Sequence, residues 1–220
     1  MSFKQGFLPL AMFTLQLSQL EKSFGAKTVF SNVSFVHRCN SLGIAGANGS
    51  GKSTFLKCLG GLLRPSAGSI EWKENDNFLE KERFRKRLGY AAPYINLYDE
   101  LSCRENLIFL AKVRHEREYS SQIDEWIEKV ELDHAKNQPF GSLSTGQQQR
   151  LRLAAALFHQ PDILLLDEPG SNLDEAGKKL ISDISEVFKA EDKLLILASN
   201  DTTELGLCDD VFSIEKRAFV

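Results

Sequence analysis

No apolar run in this chain of 220 residues approaches the roughly 20 residues that a bilayer-crossing helix needs. A role at a membrane would have to be shared with another chain. Cysteine is scarce, and Cys39, Cys58, Cys103 and Cys208 have no paired spacing. That excludes a disulfide framework or zinc site and fits reduced thiols in the cytosol. Histidine is as sparse: His37, His115, His134 and His159 lack metal-ligand spacing and are expected at the surface or its boundary. Neither charge sign dominates. The 27 Lys and Arg against 30 Asp and Glu leave a net charge of −3, so no global field selects nucleic acid or an acidic surface as partner. Internal repeats and low-complexity tracts are missing too, and 42% hydrophobic with 26% charged residues excludes disordered and fibrous classes. The length suits one substantial core, or one core with a small subdomain. The opening MSFKQGFLPLAMFTLQL has no sustained apolar centre followed by a small-residue cleavage site, and reads as a leader into a strand.

What is present is a regular exchange of strand and helix patterns. FTLQLSQLEKSF and VFSNVSFVHR alternate apolar and polar residues and predict a small antiparallel β-region. NSLGIAGANGSGKST is a short apolar strand and a glycine-rich turn, followed by the helix TFLKCLGGLL, which stops near Gly60 and Gly61. SIEW is another short strand. KENDNFLEKERFRKR is a charged, exposed stretch, partly helical, whose EKERFRKR run reads as a solvated face. LGYAAPY carries a strand into a turn. Residues 102–114 predict a helix with Ser102 and Glu105 spaced as a capping box, and SSQIDEWIEKVEL a second, amphipathic one. LRLAAALFH after the stretch LSTGQQQR is helical, DILLLDE is a buried strand, residues 174–189 form a helix, and KLLILAS and VFSI are the last strands. Apolar strands that each run into a polar turn predict a mostly parallel sheet covered on both faces.

Two motifs carry chemistry. GANGSGKST holds G-x-x-x-x-G-K-[ST] as Gly46, Gly51, Lys52 and Ser53, between a strand and a helix. Glycines let the backbone wrap so that its N–H groups face phosphate oxygens, and the helix N-terminus adds a favourable dipole. The expected triphosphate-binding residues are Gly46, Asn48, Gly49, Ser50, Gly51, Lys52, Ser53 and Thr54. Lys52 neutralises the β- and γ-phosphates, and Ser53 offers its hydroxyl to Mg²⁺. ILLLDEP, residues 163–169, is an apolar strand ending in two carboxylates. Alone it reads equally as a strand that ends in surface acids. Beside a phosphate loop, Asp167 is the expected Mg²⁺ holder and Glu168 the group that orients or deprotonates an attacking water.

The order phosphate loop, helical stretch, LSTGQ, LLLDEP, SNLD resembles the ATP-binding-cassette (ABC) ATPase family over nearly the whole chain. The resemblance implies a P-loop NTPase (RecA-like) α/β core with an N-terminal antiparallel β-subdomain and an inserted helical subdomain. It divides the single domain 1–220 into a core at about 13–100 and 141–220 and a helical subdomain at about 101–140. It also implies a head-to-tail, ATP-dependent homodimer. In that arrangement Ser144, the Gly146 backbone and the helix from Gln147 would meet the γ-phosphate bound to the other copy, while SNLD, with Asp174, crosses the interface. The family pattern is LSGGQ, so Thr145 replaces a glycine and is expected to crowd the turn. Phe24 stands where the family stacks an aromatic on adenine, although a lone phenylalanine also reads as core. The implied partner is a transmembrane permease subunit, docking beside residues 93–114 in a cleft with Tyr94, Leu97 and Tyr98. The implied location is cytoplasmic, peripheral on the inner face of the cell membrane, with no nucleic acid.

Two positions depart from the family. Its glutamine, expected in G-Y-x-x-Q, is replaced by Pro93, and its switch histidine by Asn200, which can hydrogen-bond a phosphate but carries no charge or proton. The reading is an ATP-hydrolysing transporter subunit using ATP and Mg²⁺, slow because of these two positions, with Glu168, Lys52 and Asn200 as the catalytic set. The chain's brevity and its LYDEL-x-x-x-ENL stretch are similar to short exporter-type ATPases, including the cytochrome c maturation (haem-export) branch. Two alternatives stay open: a soluble ABC-type ATPase working on DNA or ribosomes, and a module that closes on ATP but barely hydrolyses it.

Overall fold

The computed structural model describes residues 13–38, 40–114 and 120–220. Cys39, His115 and the leader before Phe13 lie outside the described residues. In chain order, β1 (Phe13–Phe24) and β2 (Lys27–His37) form a hairpin, and β3 (Ser41–Ala45) leads through the glycine-rich loop into α1 (Lys52–Leu59). β4 (Ala67–Glu74), β5 (Asn77–Phe78), α2 (Lys81–Lys86) and β6 (Leu88–Ala91) follow. After α3 (Cys103–Val113), α4 (Ser120–Lys129) and two single 3-10 turns comes α5 (Thr145–Leu157). The chain then runs through β7 (Ile163–Asp167), α6 (Glu175–Ala190), β8 (Leu194–Ser199), α7 (Thr202–Leu205), β9 (Asp210–Ser213) and β10 (Ala218–Phe219).

The strands form two sheets. One is antiparallel, in the order β2-β1-β4-β5; the other, β10-β9-β3-β8-β7-β6, is parallel except for β10 at its edge. Period-two alternation explains how the parallel sheet is covered. Ile163, Leu165, Leu194 and Ile196 join Phe55, Leu56 and Leu59 of α1 and the inner face of the antiparallel sheet in one buried cluster. Leu164, Leu166, Leu195 and Leu197 point the other way, into Leu153 and Leu157 of α5 and Ile181, Ile184 and Phe188 of α6. Each such side chain contributes about 1.5–3 kcal/mol by leaving water, which is why these short strands carry no polar position before their ends. A third cluster joins α3 and α4 to Leu151, Ala154 and Phe158 of α5. The predicted capping box is made: Ser102 and Glu105 satisfy each other's side chains and N–H groups at the start of α3.

Several expectations are corrected. His37 and His159 are buried, 2% and 8% exposed; His37 Nδ1 lies 3.3 Å from the partly exposed Asp210 carboxylate, and His159 Nε2 meets the Leu88 carbonyl at 3.1 Å. In EKERFRKR, Phe84 turns inward and stacks on Trp72 at 4.9 Å, so only part of that run is solvated. Leu97 is buried in the α3–α4 cluster, 8% exposed, and not on the surface with Tyr94 and Tyr98. The helix after LSTGQ begins at Thr145, inside the motif, because Ser144 caps it.

Candidate functional site

Ala45, Asp167 and Ser199 close three neighbouring parallel strands, with Ala45 opposite Ser199 and Asp167 opposite Ala198. Residues just past these ends gather at one edge, where ligands of such sheets bind. The glycine-rich loop leaves from Ala45. Gly51 sits at φ +106°, and a Cβ there would meet Val29 of β2 at 2.5 Å, so the position demands glycine on both counts. The first bond of α1 runs from Phe55 N–H to the Gly51 carbonyl at 2.8 Å, and no side chain caps the helix. The N–H groups of residues 52–54 therefore precede the helical ladder and are open to an anion. Lys52 is 4% exposed. Its Nζ donates to the Gly46 and Ala47 carbonyls at 2.7 and 3.2 Å and lies 2.9 Å from Glu168 Oε1.

The alternation that buries Leu165 against α1 also turns Asp167 toward that helix. Asp167 is 1% exposed, and neither carboxylate oxygen makes a hydrogen bond of normal geometry. Burial raises its pKa above the ordinary carboxyl range, against the opposite pull of the neighbouring Ser53 and Tyr94 hydroxyls. A buried carboxylate with both oxygens unpaired is a donor set suited to a hard cation beside phosphates. Glu168 follows in the left-handed region at φ +45°, a conformation costing an L-residue roughly 1–2 kcal/mol. Its N–H is held by the Ala198 carbonyl at 2.8 Å, and the turn sends its carboxylate back to Lys52. Past β8, Asn200 Nδ2 donates to Asn48 Oδ1 of the loop at 3.2 Å. The fold thus brings Gly46–Asn48, Lys52, Ser53, Asp167, Glu168 and Asn200 together.

Ser144, Gly146, Gln147 and Asp174 belong to a second group. Ser144 and Gln147 form a capping box at the start of α5, and Thr145 occupies the first helical position and is exposed. Gly146 packs so closely on residue 172 that a Cβ would meet the Asn172 carbonyl at 2.9 Å. Asp174 caps α6 through Gly177 N–H at 3.0 Å and accepts from Arg150 at 2.6 Å; both hold its carboxyl below its usual pKa. Its carboxylate is engaged within its own chain rather than turned to the loop. No hydrogen bond or ion pair among the described residues links these four to residues 46–54. Phe24 ends β1 with its ring 51% exposed and Lys22 Nζ 4.7 Å from the ring centre. Sequence reasoning missed Tyr90 and Lys57 at this edge, and Arg150, and it assigned Tyr94 only to a docking cleft. Parity was the available signal for Tyr90, which falls on the α1 side of β6 with Leu88.

A sequence model of the family described as "ABC transporter" matches residues 30–171. An ABC transporter ATP-binding protein of Methanocaldococcus jannaschii, MJ1023, is 30% identical over 204 residues, covering 92% of this chain and 74% of that one. The bacitracin transport ATP-binding protein BcrA of Bacillus licheniformis is 32% identical over 189 residues, 84% of this chain and 61% of its own length. Among solved structures, a dimeric post-hydrolysis state of the ATP-binding cassette MJ0796 bound to ADP and Pi aligns with a TM-score of 0.76 and 25% identity, over 91% of this chain and 94% of that one. With the phosphate loop and carboxylate pair assembled on this fold, the chain belongs to the ABC transporter family, as an ATP-binding subunit that hydrolyses ATP.

Proposed function

We propose that two copies of this chain close head to tail around two ATP and drive a separate transmembrane permease from the cytoplasmic face of the membrane. The observation that carries the reading is the split between the two groups of residues. The phosphate-binding half is assembled within the chain, while Ser144 and Gly146 sit in a second cluster with no polar link to it. A second copy, inverted, would present that cluster's helix start to the first copy's γ-phosphate, and the dimeric ADP- and Pi-bound relative supports this. In each half-site, residues 46–54 would wrap the phosphates, and Lys52 would exchange two backbone carbonyls for phosphate oxygens. Ser53 and Asp167 would hold Mg²⁺, which when bound offsets charge between the β- and γ-phosphates. Glu168 would orient the attacking water and take its proton, and Asn200 would donate an amide N–H to the γ-phosphate. Phe24, exposed on the hairpin that also supplies Val29, would stack on adenine. The missing histidine and glutamine imply a slow ATPase.

Residues 101–140 we read as the helical subdomain, set between core segments 13–100 and 141–220. On it and on the segment before it, Phe109 and Val113, and Tyr94 and Tyr98, are 37%, 59%, 40% and 53% exposed, with Tyr98 and Phe109 in edge contact at 4.9 Å. This ridge would receive the permease; among the described residues no helix is long and apolar enough to cross a membrane. The finer reading is an exporter similar to the haem-export branch, supported by LYDEL-x-x-x-ENL. Sedimentation with ATP and Mg²⁺ tests the dimer: Glu168→Gln should accumulate dimer and Lys52→Ala remain monomer. Glu168→Gln that stays monomeric well above its nucleotide affinity would overturn the model.

A further inference from the structure

The hydroxyls of Tyr90 and Tyr94 are hydrogen-bonded to each other at the end of β6. β6 lies beside β7 in parallel register, with Tyr90 opposite Leu165 and Ala91 opposite Leu166. The chain just past Ala91 therefore runs alongside Asp167. Lys57 of α1 places its Nζ 3.7 Å from the centre of the Tyr94 ring, securing that ring against the helix that begins with Lys52 and Ser53. The phenol hydroxyl of Tyr94, like that of Ser53, is thereby a neighbour of Asp167, neither of whose oxygens makes a hydrogen bond of normal geometry here.

A buried carboxylate that must receive a cation needs its rotation restricted without losing its charge. A cationic partner would compete with the metal for that charge. A neutral phenol does not: it can donate to one oxygen, leave the other to the cation, and set the plane of the group. We propose that Tyr94, held by Tyr90 and Lys57, is a positioning residue for Asp167 as the Mg²⁺ carboxylate. The proposal rests on the reading of Asp167 given above. It also accounts for Pro93, whose side chain has nothing to donate: the adjacent residue brings a donor to the same edge.

The test is calorimetric binding of ADP to the intact chain, with Mg²⁺ and with a chelator, which isolates the metal-dependent gain in affinity. Tyr94→Phe keeps the ring and its contact with Lys57 but removes the hydroxyl. It should bind metal-free ADP like wild type and lose about tenfold of the Mg²⁺-dependent gain, the size expected for one hydrogen bond to a charged group. Tyr90→Phe, which leaves Tyr94 in place without its partner, should lose less in the same direction and serves if Tyr94→Phe folds poorly. An undiminished Mg²⁺ gain in both variants would overturn the proposal. So would a parallel loss of metal-free binding, which would mark a packing role alone. A wild-type protein with no Mg²⁺ gain would instead overturn the reading of Asp167, and this proposal with it.

Discussion

Replacing Glu168 by Gln should have two opposite effects. Without nucleotide, Glu168 Oε1 lies 2.9 Å from Lys52 Nζ, with the two side chains 26% and 5% exposed. The cation that phosphates need is thus already paired, and ATP must displace the carboxylate as well as the Gly46 and Ala47 carbonyls. An ion pair between one buried and one partly exposed partner contributes on the order of 1 kcal/mol net. Removing its charge should therefore tighten nucleotide binding by about fivefold. The same change deletes the group proposed to take the proton of water, an expected loss of about 10²–10⁴ in kcat. The affinity is best measured with ADP, so that dimer formation does not enter, and kcat by phosphate release at saturating ATP. Unchanged or weaker ADP affinity would show that the Lys52–Glu168 pair does not compete with phosphate. A kcat within a few-fold of wild type would remove Glu168 from the chemistry.

Asn200→His should raise kcat with little change in ATP affinity, because a charged donor at that strand end acts mainly on the transition state; steady-state kinetics with kcat unchanged or lowered would refute this. Gly51→Ala should destabilise the fold by about 1–3 kcal/mol in urea unfolding, through its left-handed φ and the contact with Val29, and abolish nucleotide binding. Burial lowers the His159 pKa from 6.5 to about 4, so between those values the unfolded chain binds the proton that the folded chain refuses. Stability should fall by up to about 3 kcal/mol as pH drops from 6.5 toward 4, and His159→Gln should flatten that part of the urea-midpoint profile. Tyr98→Glu should prevent co-purification with the permease while sparing ATP binding; normal co-purification would place the docking surface elsewhere.

The α/β core was legible because its strands obey simple rules. Ile163–Asp167 is apolar up to its terminal carboxylate, and the glycine-rich loop sits between a strand and a helix where backbone N–H groups must be exposed. Other features needed the third dimension. The start of α5 was set too late because Gly146 and Thr145 read as a turn; the reciprocal Ser144–Gln147 cap outweighs the low helix propensity of glycine. β5 and β10, two residues each, are too short for any period to register. His159 looked like a boundary residue because nothing local announces the Leu88 carbonyl, 71 positions away, that accepts it into the interior. The Tyr90–Tyr94 pair, four residues apart, was hidden because the chain turns between them at the end of β6, where no period registers.

The distribution of unsatisfied groups explains how so rigid a sheet can respond to nucleotide. The buried clusters on both sheet faces are saturated with apolar contacts, and moving them would forfeit dispersion and burial together. The edge is the reverse. Asp167 has two unpaired oxygens, Glu168 holds a left-handed φ, and Lys52 is bound to carbonyls that phosphate can replace. Binding there relieves local costs without touching the core. Glu168 is followed directly by Pro169, whose carbonyl accepts from the buried side chain of Gln149 at 3.1 Å, and Gln149 lies one turn into α5, beyond Ser144 and Gly146. One peptide and one hydrogen bond thus join Glu168 to α5, whose start is proposed to meet a second copy. A rearrangement at Glu168 can cross that link, and the close approach of Gly146 to the Asn172 carbonyl, to reach α5 and the α3–α4 cluster packed on it.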